Sequence, residues 1–169
     1  VWTELVDSNV TATLDNLDYQ VGQGSLQLAV TSGVSAGDIL ATEVISLDAS
    51  DHIGVRFAIK STVDTDAGDL QLLLSETAQC ASATETLNIP ALLANQWTAV
   101  EVDYTGASSG RNVLISVGLK YTTDIGACTI NLDDIQSVTT NPAAGLAEMD
   151  RWDRLMCWNY EDNGENTSH

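Results

Sequence analysis

Hydrophobic and polar residues alternate in short runs over most of the first 140 positions, and turn residues separate the runs. Alternation places apolar side chains on one face of an extended segment, which is typical of half-buried β-strands. In the clearest run, residues 53–60, the pattern predicts that Ile53 and Phe57 face the core while Arg56 and Lys60 face solvent. The positions predicted as strands are 1–6, 25–30, 39–47, 53–60, 69–75, 85–89, 97–104, 112–119 and 129–138.

Gly, Ser, Asp and Thr are concentrated between these runs at regular intervals. About nine strands with turns at such spacing indicate an all-β sandwich or barrel. Residues 7–24 are predicted as one long loop, and residues 91–95 as a single helical turn after Pro90. The run Leu72-Leu-Leu74 is apolar at consecutive positions, which predicts a strand that is covered on both faces.

The last predicted strand contains two consecutive acidic residues, Asp133 and Asp134. Strict alternation cannot keep the hydrophobic residues before and after this pair on one face, so an extra residue has to be absorbed in a β-bulge. Two interpretations of the pair are open. One is a calcium site that also uses Glu4 or Asp7, if the first and last strands meet at one sheet edge. The other is that one Asp caps the bulge and the other is solvated.

The composition changes after residue 140, and the pattern changes with it. Residues 146–160 carry apolar side chains at steps of three and four, which predicts an amphipathic helix. We therefore expect a sandwich domain over residues 1–140 and a partly helical C-terminal arm over residues 141–169. The arm either covers its own sandwich or docks on another subunit, as in a homo-oligomer. The predicted partner-binding residues of the arm are Met149, Trp152, Met156, Trp158 and Tyr160.

The chain of 169 residues has a formal net charge of −18 with only six Lys and Arg residues. This charge argues against a nucleic-acid surface, because phosphate binding needs a basic patch. It is compatible with a self-repelling surface, a cation site or a basic partner. No apolar run reaches the roughly 20 residues that a membrane span requires, and residues 1–20 lack the pattern of a signal peptide.

Residues for catalysis are sparse, since His52 and His169 are the only histidines and no Gly-x-Ser-x-Gly motif is present. Nothing in the sequence pairs a nucleophile with a base, so we expect a non-catalytic protein. The three cysteines, Cys80, Cys128 and Cys157, match no zinc pattern. Either Cys80 and Cys128 form a disulfide, or all three are free thiols.

A carbohydrate site would need exposed aromatic side chains, because the faces of sugar rings stack on Trp and Tyr. Residues 1–140 hold few aromatic residues, and we expect Phe57 and Trp97 to belong to the core. The candidate sugar platforms that remain are Tyr19, Tyr104 and Tyr121.

Four segments of the chain resemble the galactose-binding-like jelly rolls, the fold of many carbohydrate-binding modules. They are Gly24-Ser-Leu26, Ile53–Lys60, Trp97-Thr-Ala-Val100 and Ile130-Asn-Leu-Asp-Asp-Ile135. The resemblance implies an all-β jelly-roll β-sandwich of about nine antiparallel strands. In such modules the Asp of the last strand often helps to hold a structural Ca²⁺. This role would fall to Asp133 or Asp134, with Glu4 as a further candidate.

The chain also resembles small jelly-roll proteins and domains among tailed-phage structural proteins, over residues 1–138. The similar segments are Gly68–Leu74, Glu85–Ala91, Trp97, Ile115–Leu119 and Leu132–Ile135. This resemblance implies a virion structural protein of the phage particle: a capsid decoration (cement) protein, or a tail or fibre module that binds capsid or tail subunits. That is the leading functional expectation. The alternative is an extracellular carbohydrate-binding module with a structural calcium, and an enzyme ranks third.

Overall fold

The computed structural model describes residues 1–6 and 8–139 of the chain, together with the backbone of residues 153–154. Within these residues the chain forms eleven β-strands and two short 3₁₀ turns, Ala78–Cys80 and Ser108–Gly110. The strands are β1 (Thr3–Glu4), β2 (Val10–Asp15), β3 (Ser25–Val30), β4 (Ile39–Leu47), β5 (His52–Ser61), β6 (Leu70–Ser75), β7 (Glu85–Asn88), β8 (Thr98–Asp103), β9 (Leu114–Tyr121), β10 (Cys128–Thr139) and β11 (Asp153–Arg154).

The strands form two antiparallel sheets with the core between them. Sheet A has the strand order β1-β4-β9-β6-β7. Sheet B has the order β2-β3-β10-β5-β8, and β11 pairs with β10. Strands that follow each other in the chain often lie in different sheets, as β5 and β6 or β9 and β10 do, which is the arrangement of a jelly roll. The predicted all-β jelly-roll sandwich is therefore confirmed.

One hydrophobic core fills the space between the sheets, and aliphatic residues supply most of it. In β5 the predicted alternation holds for Val55, Phe57 and Ile59, which are buried, whereas Ile53 is 41 % exposed. The prediction for Ile53, the second residue of β5, is therefore wrong, although its neighbours His52 and Gly54 are buried. The leucines of β6, Leu72–Leu74, are all buried, which confirms a strand that is covered on both faces. Fully burying each such side chain contributes about 1.5–3 kcal/mol.

The main error of the strand prediction lies in residues 7–24. The pattern predicts a loop there, but β2 lies inside this range and pairs with β3 from Val10↔Val30 to Asp15↔Ser25. β2 is an edge strand in which only Val10 is fully buried, so its alternation is too weak to distinguish it from a polar loop. Residues 91–95 do not form the predicted helical turn, since Leu92 makes an isolated β-bridge there.

β10 carries the predicted bulge at its acidic pair. Its pairing with β5 shifts register between Asp133 and Gln136, and Asp134 adopts the left-handed backbone conformation with a φ of 52°. The bulge is thus confirmed. However, β10 lies at the centre of sheet B between β3 and β5, whereas β1 pairs with β4 in sheet A. The first and last predicted strands do not meet at one sheet edge, so this premise of the calcium hypothesis is wrong.

The C-terminal arm, residues 141–169, lies outside the described residues except for β11. Asp153 and Arg154 are extended and pair with Ser137 and Gln136 of β10, so these two positions differ from the predicted helix. Among the residues described, no helix is long and apolar enough to cross a membrane. The domain division at residue 140 stays a prediction, as do the partner-binding roles of Met149, Trp152, Met156, Trp158 and Tyr160.

Candidate functional site

The outer face of sheet A is closed by the β6–β7 loop (residues 76–84), which folds back over the middle of the sheet. The backbone N–H of Cys80 donates to Ser116 Oγ at 3.0 Å, and Leu73 of β6 is buried. Gly118 allows this close approach, because a Cβ atom at that position would lie 3.1 Å from Cys80 Sγ. The centre of this face is therefore not accessible to a ligand.

The outer face of sheet B has an open groove with a volume of about 440 Å³. Its floor is formed by β5 and β8, where the small side chains of Ala58 and Ala99 occupy paired positions. One wall is the β2–β3 loop (residues 16–24). The groove exists because the side chains of its floor are small, and polar residues surround it. The residues that line the groove are Gln20, Val21, Arg56, Phe57, Ala58, Ala99, Val100, Glu101 and Asp134.

A chain of hydrogen bonds orients the polar side chains of the groove. Gln136 Oε1 accepts from Arg56 Nε at 3.1 Å and from Arg56 Nη2 at 2.8 Å. Gln136 Nε2 in turn donates to Asp134 Oδ1 at 2.5 Å. Glu101 is exposed and pairs with Arg56 in the β5–β8 register. The groove thus presents a held guanidinium group beside two carboxylates.

The bulge of β10 connects sheet B to the β2–β3 loop. Asp133 Oδ2 accepts from the backbone N–H groups of Gln20 at 2.7 Å and of Val21 at 2.9 Å. Asp133 Oδ1 accepts from the backbone N–H of Asp134 at 2.7 Å. Both carboxylate oxygens of Asp133 are therefore engaged by backbone donors.

Glu4, the further calcium candidate, lies on β1 in sheet A. Glu4 Oε1 accepts from the backbone N–H of Ala12 at 2.8 Å, and this bond holds the pKa of Glu4 below its ordinary value. Among the described residues, no group of three or more His, Cys, Asp or Glu side chains could hold a metal ion. The structure does not bring Glu4 together with Asp133 and Asp134 as a ligand set, and the structural calcium stays a prediction without a site.

Asp18 is a second anchor of the β2–β3 loop. Trp97 Nε1 donates to Asp18 Oδ1 at 2.7 Å, and Lys60 forms an ion pair with Asp18 Oδ2. The bond from Lys60, and after it the bond from Trp97, hold the pKa of Asp18 below its ordinary value of 3.8. Trp97 is half-buried and bound to a loop on the outer face, so its assignment to the core is wrong. Its indole N–H needs a partner, which the hydrophobic pattern alone does not reveal.

The three tyrosines predicted as sugar platforms lie in different environments. Tyr121 is only 1 % exposed and its hydroxyl accepts from the backbone N–H of Ile125 at 2.7 Å, so it cannot stack on a sugar and that prediction is wrong. Tyr104 is half-buried, and the guanidinium of Arg111 lies 4.7 Å from the centre of its ring. Tyr19 is exposed in the β2–β3 loop, beside the wall of the groove in sequence, and stays a candidate platform.

A buried polar cluster connects the two sheets at one end of the sandwich. Ser137 Oγ lies 2.7 Å from His52 Nδ1, which is the distance between a nucleophile and its base. Ser137 has no solvent exposure and is also 2.9 Å from the Tyr104 hydroxyl, so no substrate reaches it. Nearby, Arg111 Nη1 donates to Glu85 Oε1 at 2.8 Å inside the protein. The cluster is structural, and nothing in the spacing of these residues along the chain predicts it.

Cys80 and Cys128 are both buried and unpaired. Cys80 lies over the outer face of sheet A, whereas Cys128 belongs to the core at the start of β10. The disulfide alternative is therefore wrong. Burial raises the pKa of both thiols, that of Cys128 to about 11. These two cysteines act as small packed side chains, and Cys157 lies outside the described residues.

No family model matches the chain, and no curated protein matches it. Solved structures of similar fold do exist. The CBM22-1 xylan-binding domain of Xyn10C from Paenibacillus barcinonensis is 16 % identical, with 84 % of this chain and 87 % of that chain covered and a TM-score of 0.53. The family 11 carbohydrate-binding module of the cellulase Lic26A-Cel5E from Clostridium thermocellum is 14 % identical, with 83 % and 87 % covered and a TM-score of 0.52. A CBM4 structure is 16 % identical, with 82 % and 94 % covered and a TM-score of 0.52.

These similarities confirm the jelly-roll fold of this chain, since the similar structures are carbohydrate-binding modules. They also correct the leading functional expectation, a virion structural protein of a tailed phage, because the similar structures are carbohydrate-binding modules. The resemblance to phage proteins has no support in these findings. The same holds for the location and the partners that this resemblance implies. Nothing in these findings supports a place in the virion or binding to capsid or tail subunits.

Proposed function

We propose that this protein is a non-catalytic, extracellular carbohydrate-binding module that binds a glycan chain in the groove of sheet B. The observation that carries the proposal is the open groove of about 440 Å³, in which donors and acceptors surround small floor residues. Ligand pockets of proteins usually have volumes of roughly 300–1,000 Å³. The similar solved structures include a xylan-binding domain and a module in complex with a mixed-linked tetrasaccharide, which supports a glycan as the ligand.

The polar groups of the groove match the chemistry of sugar hydroxyls. A hydroxyl group both donates and accepts hydrogen bonds. Arg56 offers donors, while Glu101 and Asp134 offer acceptors. Arg56 and Asp134 are already joined through Gln136, so a ligand does not have to order them when it binds.

The floor of the groove suits the apolar face of a sugar ring. Ala58 and Ala99, which occupy paired positions, present small apolar side chains between polar neighbours. The C–H groups of a pyranose ring pack on such a surface, and an aromatic side chain improves the contact. Tyr19 is exposed one position before the wall residues Gln20 and Val21, and it is our candidate for that aromatic contact.

The net charge of the chain favours a neutral glycan over an acidic one as the ligand. A formal net charge of −18 repels polyanionic glycans at long range. We therefore expect a neutral polysaccharide rather than an acidic one.

Affinity electrophoresis and isothermal titration with soluble xylan and β-1,3-1,4-glucan test the proposal. Arg56→Ala and Glu101→Ala should each weaken binding by roughly 10- to 100-fold, because a hydrogen bond to a charged group contributes about 1.5–3 kcal/mol. Lys120→Ala and Glu76→Ala are matched controls, since each removes a charge of the same sign from the sheet A side of the molecule. The controls should bind like the unmodified protein.

Two results would overturn parts of this proposal. Absence of binding to any neutral polysaccharide would refute the function itself. Binding that is lost in Lys120→Ala but kept in Arg56→Ala would refute the location, because Lys120 belongs to sheet A.

A further inference from the structure

The β2–β3 loop forms one wall of the groove, and hydrophobic burial does not set its position. Its large apolar residues Leu17, Tyr19 and Val21 are 91 %, 41 % and 40 % exposed. Gly22, with a φ of 79°, and Gly24 give the backbone many conformations in the absence of other contacts. A loop of this composition needs polar contacts to keep one shape, because the entropy of the free loop is high.

The bulge of β10 supplies such contacts. In a regular strand, consecutive side chains point to opposite faces. The extra residue changes this arrangement, so that Asp133 binds the loop while Asp134 lines the groove on the same outer face. The two N–H groups that Asp133 holds belong to Gln20 and Val21, the loop residues that line the groove. The bulge therefore ties the wall of the groove to the central strand of its sheet.

The loop is held at its other side by Asp18. Its carboxylate binds Lys60 of β5 and Trp97, which directly precedes β8, and its carbonyl oxygen accepts from Ser25 Oγ at 2.7 Å. Asp18 thus fixes the start of the wall. Within the part of the chain that the structure describes, Asp133 is the residue that holds the backbone N–H groups of Gln20 and Val21, the two loop positions that face the groove.

We propose that Asp133 is a positioning residue that fixes the wall of the groove and thereby sets the affinity for the glycan without contacting it. This inference rests on the proposed function of the groove. Hydrogen bonds from N–H groups to a carboxylate are roughly twice as strong as bonds between neutral groups. A carboxylate that holds two adjacent N–H groups orders the wall before the ligand arrives, so binding does not have to supply the cost of ordering it.

Asp133→Ala and Asp133→Asn in the full chain test this inference with two readouts. The first is hydrogen exchange at the backbone amides of Gln20 and Val21. The second is the Kd for soluble xylan and β-1,3-1,4-glucan. Asp133→Ala should speed exchange at both amides and weaken binding, each roughly tenfold. Asp133→Asn keeps one neutral acceptor oxygen, so both changes should be smaller.

Asp51→Ala is the matched control, because it removes an exposed carboxylate in the turn before β5 and should change neither readout. Faster exchange with unchanged affinity would overturn the inference, since the position of the wall would then not matter. Weaker binding with unchanged exchange would also overturn it, because Asp133 would then act on the glycan directly. If the unmodified protein binds no polysaccharide, the proposed function fails and this inference with it, a result distinct from failure at Asp133 alone. The milder Asp133→Asn variant keeps the test valid if Asp133→Ala does not fold.

Discussion

The two outer faces of this sandwich differ in what the connecting loops do to them. On sheet A the β6–β7 loop lies against the sheet and buries Leu73, with Cys80 packed over Gly118. On sheet B the β2–β3 loop is held by Asp133 and Asp18 and leaves an open groove beside it. The outer face of sheet A is thus covered by a loop, whereas the outer face of sheet B has an open groove of the kind that binds ligands.

The chemistry of the strands explains this difference. The outer positions of sheet A beneath its loop are apolar or small, as Leu73, Ser116 and Gly118 are, so a loop can pack closely on them. The outer positions of sheet B include Arg56, whose charge is costly to bury, and Lys60, which contacts the β2–β3 loop through its ion pair with Asp18. The jelly-roll fold by itself therefore does not determine which face is open to a ligand. The outward-facing side chains determine it, because they decide whether a loop can pack on the sheet.

The largest effect is expected from breaking the contact that joins the two sheets. Glu85 of β7 binds the N–H groups of Thr105 and Gly106 and the guanidinium of Arg111, all in the segment after β8. Glu85→Ala leaves Arg111 buried without a carboxylate partner, which should lower the free energy of unfolding by about 3–5 kcal/mol in urea titrations.

Both outer faces should then lose hydrogen-exchange protection together. Glu76→Ala, which removes an exposed carboxylate, is the control and should change stability by less than about 0.5 kcal/mol. A loss below about 1 kcal/mol in Glu85→Ala would contradict the role of this ion pair.

An intermediate effect is expected from opening the closed face. In Gly118→Ala the new Cβ would lie 3.0 Å from Thr42 Cγ2 and 3.1 Å from Cys80 Sγ, so Thr42 and the Cys80 end of the β6–β7 loop have to shift by a few tenths of an ångström. The free energy of unfolding should fall by about 1–3 kcal/mol. In a Cys157→Ser background, Cys80 should become reactive towards a thiol reagent in the native state, while Cys128 stays protected.

Thr86→Ala, at an exposed position of β7, is the control for this experiment and should leave both thiols protected. A Gly118→Ala variant whose Cys80 remains unreactive would show that the loop does not depend on the close approach at Gly118.

The smallest effect is expected from acid, and only on the groove side. The pKa of Asp18 is lowered in the folded protein, so its stabilising contribution is complete above the ordinary pKa of 3.8 and is lost as the pH falls through the lowered value. Asp18 is partly exposed, so after solvent screening we expect less than about 1 kcal/mol. The β2–β3 loop should loosen below about pH 4, while the β6–β7 loop, held by Ser116 and Leu73, should not.

Chemical shifts of the Trp97 indole N–H, which donates to Asp18, and of the Cys80 amide, followed from pH 6 to pH 3, would measure this difference. Asp18→Asn should remove most of the pH dependence at the Trp97 indole N–H and none at the Cys80 amide. Equal loosening of both loops would contradict the assignment of the acid effect to Asp18.

Much of the fold follows from local sequence, but the candidate site does not. The two adjacent residues Asp133 and Asp134 predict the bulge, because alternation fails within a few positions. The same pattern assigns no partner to Asp133, and the amides that it binds lie 113 and 112 positions away in the chain. Residue type alone makes Tyr121 a candidate sugar platform, yet the fold leaves it only 1 % exposed, with its hydroxyl bound to the backbone of the following turn.

The sequence by itself determined the alternation that makes the strands, the bulge in β10 and the consecutive leucines of β6 that require cover on both faces. The tertiary structure decided which loop covers sheet A, that β10 lies at the centre of sheet B, and that Asp133 meets the wall of a groove. The physical reason is the range of the interactions. Strand pattern depends on neighbours in the chain, whereas the open or closed state of each face depends on contacts between segments that only folding brings together.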